Sequence, residues 1–253
     1  MATKRHEETE KYSRGFPRPV AAIESALLRL VTSAVMNPDG VCVGRLRFLV
    51  LSRDADWYPP RMETKASRPA RILVLYYSKD GHTRRMAELV ADGAGSVPLT
   101  EVRFKNVAEA TADDLEWCDG VAAGSPTHMG TIAWEMKRWW DVVAQPLWPK
   151  IEGKLGCAFS SSGGLAGGGE LTCLALQIVL MNYGLLVFGI PDYVAPGQTL
   201  HYGAVCAGRP RNDADHEACR RVGRRLTEWV QTLVCQRAEH DPRRAAYKRF
   251  TDD

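Results

Sequence analysis

No two of the seven cysteines, at positions 42, 118, 157, 173, 206, 219 and 235, are spaced C-x-x-C, and their number is odd. Both facts argue against a disulfide framework. Cys118, Cys157 and Cys173 lie in apolar surroundings, as expected of buried free thiols in a reducing cytoplasm. Long hydrophobic runs are missing too, so no membrane span is expected. An excess of either charge is lacking: 33 basic and 30 acidic residues leave +3, which gives no warrant for nucleic-acid binding. Neither G-x-x-x-x-G-K-[ST] nor a G-x-G-x-x-G following the first strand occurs, which speaks against ATP or a pyrophosphate dinucleotide in a Rossmann turn. With 45% hydrophobic and 25% charged residues the chain has ordinary globular composition.

What is present begins at 71–83, RILVLYYSKDGHT. Ile72, Leu73, Val74 and Leu75 make a near-continuous apolar run, the pattern of a strand buried on both faces of a parallel sheet. It empties into a loop with Ser78 and Thr83 hydroxyls and a turn-permitting Gly81, where a helix starting near His82 offers free N–H groups and its positive dipole end. A single phosphate fits that socket. The alternative is an ordinary strand-turn-helix link in which Ser, Asp and Gly only cap and turn.

Residues 1–68 are irregular, with one short amphipathic helix and one strand at most, and are expected to form a weakly ordered extension, with the functional chain beginning near Met62. Glu7, Glu8 and Glu10 contradict a transit peptide. From residue 70, strands alternate with helices: strands 71–77, 99–104, 119–124, 154–160 and 185–189, and helices 82–93, about 111–117, 131–143, 168–183 and about 213–234. That alternation predicts right-handed crossovers and a doubly wound, five-stranded parallel sheet over residues 69–236. A basic tail, 237–253, is expected to be solvated and frayed. Ligands of such sheets sit beyond the carboxyl ends of the strands. Three loops there are built from small residues: Tyr77–Thr83, Gly124–Gly130 and Ser160–Gly169.

These motifs resemble the flavodoxin-fold NAD(P)H:quinone oxidoreductases of the WrbA type, as do Pro146–Trp148, His201–Ala204 and Ala207–Arg211. The resemblance spans residues 70–234. It implies a flavodoxin-like strand order 2-1-3-4-5 and noncovalently bound FMN. By the same resemblance Ser78, Gly81, His82 and Thr83 hold the FMN phosphate, with Lys79 adding charge. Pro126, Thr127, His128, Met129 and Gly130 line the ring edge, and Ser161, Ser162, Gly163, Gly164 and Gly167 wrap its pyrimidine side. Arg84 and Arg85 are expected on a solvated helix face. His128 is a weak candidate general acid, since hydride chemistry rests on the cofactor. Met129 stands where relatives often carry an aromatic. Trp148, Asp80 and Tyr183 are the substrate-side candidates, Trp148 by stacking on a flat ring, with plain packing between Pro146 and Pro149 as its alternative. Trp134, Trp139 and Trp140 are expected to be structural. The family also implies a homo-oligomer.

The function expected is an FMN-dependent, cytoplasmic oxidoreductase passing hydride from NAD(P)H via flavin N5 to a quinone or similar small acceptor. A flavodoxin-type electron carrier is the alternative. Carriers of that kind tend to be strongly acidic, whereas this chain has a pI near 8.5. A third reading, a flavodoxin fold that binds without catalysis, predicts a colourless protein.

Overall fold

The run Ile72–Leu75 feeds two cores at once, because successive residues of a strand point to opposite faces. A computed structural model describes residues 68–148 and 150–244. The chain divides into Met1–Tyr58 and Pro59–Asp253, and the described residues all belong to the second unit. The expectations for residues 1–67 lie outside the described residues. In β1 (Ala70–Tyr76), Ile72 and Val74 join one cluster with Met86, Leu89 and Val90 of α1 (His82–Gly95) and Val222, Leu226 and Val230 of α5 (Asp213–Leu233). Leu73 and Leu75 join the other, with Leu115 of α2 (Ala112–Trp117), Met136 of α3 (Trp134–Arg138) and Leu176 of α4 (Gly169–Asn182). Each fully buried aliphatic side chain contributes about 1.5–3 kcal/mol, so one strand anchors both helical layers.

The sheet has the expected order. β2 (Thr100–Asn106), β1, β3 (Gly120–His128), β5 (Leu155–Ser162) and β6 (Leu186–Val187) lie side by side and parallel. The fifth position differs from the strand predicted at 185–189. β6 pairs only with Leu155 and Gly156; a separate antiparallel hairpin, β7 (Ile190–Ala195) with β8 (Gln198–Leu200), then interrupts, and β9 (Ala204–Ala207) resumes beside Phe159–Ser162. Pro191 stands at the second position of β7, in a two-stranded hairpin where it need not donate to a neighbour on both sides, and the Pro196–Gly197 turn, with Gly197 at φ 68°, reverses the chain into β8.

The helix predicted over 131–143 also divides. Thr131–Ile132 form β4, antiparallel to the end of β3, and α3 passes into a π-helical turn at Trp139–Val143. Trp139 and Trp140 are buried as expected, but Trp134 is exposed.

α1 and α5 approach backbone to backbone. A Cβ on Gly93 would collide with the Arg220 carbonyl, and one on Gly223 with the Val90 carbonyl. The segment expected to fray from Arg237 begins instead with a buried residue. The Arg237 guanidinium donates to Arg68 O at 2.7 Å and to Gln231 Oε1, while Arg68 pairs with Asp119 at 2.6 Å. A buried guanidinium is costly unless its donors are met, and these contacts tie the end of α5 to the start of β1.

Candidate functional site

At the carboxyl end of β1 the backbone turns through Gly81, at φ 82°, into α1, whose start has no side-chain cap and no acidic residue in its first turn. The N–H groups there and the helix dipole favour an anion. Ser78 Oγ is buried beside them with no hydrogen-bond partner. Lys79, Asp80 and His82 are exposed. Arg84 and Arg85 both pair with Glu88, at 3.3 and 3.0 Å, as expected of a solvated helix face.

The second loop is a tight hairpin. His128 pairs with Thr131, and the two residues between them, Met129 (φ 47°) and Gly130 (φ 90°), are both left-handed, as a two-residue hairpin of the primed kind requires. Met129 is a strained, fully exposed apolar side chain. Ser125 Oγ accepts from Ala133 N–H at 2.9 Å and holds the hairpin's return.

Side chains then stitch the three loops together. Thr83 Oγ1 and Ser161 Oγ lie 2.7 Å apart, joining the first loop to the third. Thr127 Oγ1 contacts Thr172 Oγ1 at 2.9 Å and Ser160 Oγ at 3.3 Å, joining the second to β5 and α4. The Tyr77 hydroxyl donates to Glu135 Oε1 at 2.6 Å, and its ring meets His128 edge to face at 6.1 Å, joining the first to the second. The bond to Glu135, reinforced by burial, pushes the Tyr77 phenol up to about 12, so it remains a neutral donor. In the third loop Ser162 Oγ donates to Gly164 O at 2.8 Å. With both Ser161 and Ser162 hydroxyls engaged inside the protein, that loop offers mainly main-chain N–H groups.

The gathered residues fit a flat heterocycle carrying a phosphate. A side chain at Gly81, Gly130, Gly163 or Gly164 would meet only open space, so backbone lines the rim, while the Ser78 hydroxyl, four residues before the start of α1, is buried without a partner. Two substrate-side candidates are not brought there. Trp148 and Tyr183 sit at the far end of α4, whose 14 residues span ~20 Å at 1.5 Å per residue. Trp148 Nε1 donates to Asn182 O at 2.9 Å, and the buried Tyr183 hydroxyl donates to Trp140 O. Asp80 stays beside the phosphate loop. Tyr77, Glu135 and Arg209, which lines a cavity of about 320 Å³ with Gly81 and His82, are site residues that the sequence reading missed. Tyr77, at the head of the first loop, and Arg209, inside the Ala207–Arg211 element, offered a signal; Glu135 offered none.

Comparison with known proteins decides the family. A flavodoxin-domain model matches residues 73–147. Over 169 residues the chain is 56% identical to a flavodoxin of Aquifex aeolicus, covering 67% of this chain and 91% of that protein. The chain belongs to the flavodoxin family. This flavodoxin-family chain is also 32% identical over 195 residues to an NAD(P)H dehydrogenase (quinone) of Archaeoglobus fulgidus, covering 65% of this chain and 99% of that one. A solved flavodoxin from the domain Archaea superposes with a TM-score of 0.53 at 24% identity, over 64% of this chain and 99% of that one. A flavodoxin, WrbA-like protein from Agrobacterium tumefaciens gives 0.52 at 23%, over 64% and 98%. Both structures support the fold. The family binds flavin. Among the described residues no helix is long and apolar enough to cross a membrane.

Proposed function

We propose that this flavodoxin-family chain is an FMN-dependent oxidoreductase passing hydride from NAD(P)H to a quinone or similar two-electron acceptor. The observation that carries the FMN reading is the buried, unpartnered Ser78 hydroxyl at an uncapped helix start. Leaving such a group unsatisfied costs about 1–3 kcal/mol, and a phosphate oxygen relieves it. Ser78, with the Gly81, His82 and Thr83 N–H groups, grips the phosphate, and Lys79 adds charge at the rim. Pro126, Thr127, His128, Met129 and Gly130 border the ring, and Met129 covers part of its apolar face. Main-chain donors of Ser161, Ser162, Gly163 and Gly164 face the pyrimidine edge and favour negative charge there, while Gly167 shapes the loop by donating its N–H to Gly164 O at 3.1 Å. Bound FMN supplies the hydride acceptor at N5; the protein's work is to hold and orient the ring and to shield one face.

The reading includes a homo-oligomer. α4 exposes Leu171, Ile178 and Met181 on its outer side, and a helix apolar all round is ordinarily buried. These side chains offer an apolar face to a second copy, and Trp148, exposed beyond the far end of α4, keeps its substrate role in this reading only across such an interface. Tyr183, buried against Trp140, supports that end of α4.

The Archaeoglobus relative favours the enzyme and the Aquifex flavodoxin favours an electron carrier. Anaerobic mixing of the yellow, FMN-loaded protein with NADH or NADPH decides between them. Bleaching of the flavin with release of oxidised nicotinamide is expected, from a species heavier in light scattering than the 28.0 kDa chain. A flavin that stays oxidised for minutes with both donors assigns the carrier instead.

A further inference from the structure

The interruption of the fifth strand builds a cavity that shares Ser162, Gly164 and Gly167 with the proposed flavin rim and extends beyond them to residues the flavin reading does not use. It measures about 850 Å³ and lies between the third loop, the β7–β8 turn and the start of α5, within the usual 300–1,000 Å³ of small-molecule sites. Its far wall is tied down. Gln198 Nε2 donates to Asp215 Oδ1 at 3.3 Å, Arg211 N–H to Asp215 Oδ2 at 3.0 Å, and Asp215 N–H to Asn212 Oδ1 at 2.8 Å. Asp215 is thereby occupied. Two charged residues lining the cavity have no ion pair or side-chain hydrogen bond: Arg211, whose guanidinium lies over Gly208, and Glu170. Val205, Ala207 and Leu171 add apolar lining.

We infer that this cavity binds the adenosine diphosphate half of the nicotinamide co-substrate. The inference rests on the hydride-donor reading and deepens it. An apolar floor takes a purine face, a free guanidinium takes a diphosphate by charge-assisted hydrogen bonds, and a free carboxylate takes ribose hydroxyls, as acidic residues do in NAD sites. The placement agrees. The flavin-facing loops follow β1, β3 and β5, and the cavity opens on the β9 side of the third loop, one strand spacing of about 4.8 Å further along the sheet. A dinucleotide whose nicotinamide reaches the ring has only that loop to cross. Glu170 opposes a 2′-phosphate, so the site prefers NADH to NADPH.

Titration calorimetry of the FMN-loaded full chain with 5′-ADP tests this without turnover. Saturable binding is expected, tighter than for 2′,5′-ADP, weakened roughly tenfold in R211A and partly restored in R211K, with E170Q erasing the discrimination between the two nucleotides. FMN affinity, read by fluorescence quenching, stays unchanged in all three variants. Absent ADP binding, equal affinity in R211A, or displacement of FMN by ADP overturns the inference. So does lost FMN affinity in R211A, which would assign Arg211, packed over Gly208 toward His82, to the flavin phosphate. Should NADH bleach the flavin uninhibited by ADP, the cavity assignment fails while the hydride reading stands. Should ADP bind while neither donor bleaches the flavin, the adenine site is supported and the hydride reading fails.

Discussion

Ser78 is where stability and binding pull in opposite directions. Its hydroxyl is buried and unpartnered, a state that costs about 1–3 kcal/mol until a donor or acceptor arrives. S78A therefore leaves the FMN-free protein as stable as wild type or about 1 kcal/mol more so, while weakening FMN roughly tenfold through loss of a charge-assisted bond. Thermal melts with and without FMN check both halves, and an unchanged FMN affinity would remove Ser78 from the phosphate site. Its partner Thr83 behaves differently, because its hydroxyl is already satisfied by Ser161. Ser78 and Thr83 are legible from sequence, since a hydroxyl beside a strand-to-helix glycine has a local meaning. Tyr77 and Glu135, 58 positions apart, become a pair only once β1 lies beside β3. The engaged hydroxyls of Ser161 and Ser162 were hidden for the same reason.

Among the elements, those with a periodic signal were legible and those set by turn chemistry were not. β1 announced itself by its apolar run and α5 by Ala218, Val222, Leu226, Trp229 and Leu233 behind the Asn212 cap, whose side chain does accept from Asp215 N–H at 2.8 Å. The β3–β4 hairpin lacks the Asn-Gly or Asp-Gly that usually marks such a turn, so its Met129–Gly130 link reads as loop. The fifth strand reads as one segment because two- and four-residue strands leave no period to detect. Nor does sequence reveal why α1 and α5 carry glycines in mid-helix, where glycine costs about 1 kcal/mol relative to alanine. The answer is their contact: Gly223 sits on the Val90 carbonyl and Gly93 on that of Arg220. G223A is expected to cost about 3 kcal/mol by forcing the helices apart, lowering Tm by on the order of 10 °C. G95A, in α1 where a Cβ meets only Val102 at 4.0 Å, is the control and should be neutral or slightly stabilising. Equal melting shifts for the two variants would refute the close helix contact.

For the described protein as a whole, two packed cores exclude water from every described cysteine. All six are buried. Burial holds the Cys118 thiol up near 12 against an ordinary 9.0 and moves Cys157 and Cys173 in the same direction. Cys219 is raised too, first by a hydrogen bond with Cys206 and then by burial. Below pH 9 folded and unfolded chains both keep these protons, so the thiols impose no slope and their contribution is fully present. Between pH 9 and about 12 unfolded thiols ionise while folded ones stay protonated, and stability falls by up to about 1.4 kcal/mol per pH unit for each thiol. The raised Tyr77 and Tyr183 phenols act with the same sign. Urea unfolding across that alkaline window should show the decline, with C118A flattening it by about one thiol's worth. A C118A slope equal to wild type would mean that water reaches Cys118 in the folded state. It would also mean that the layer formed by α2, α3 and α4 is looser than its packing around Trp139 and Trp140 requires.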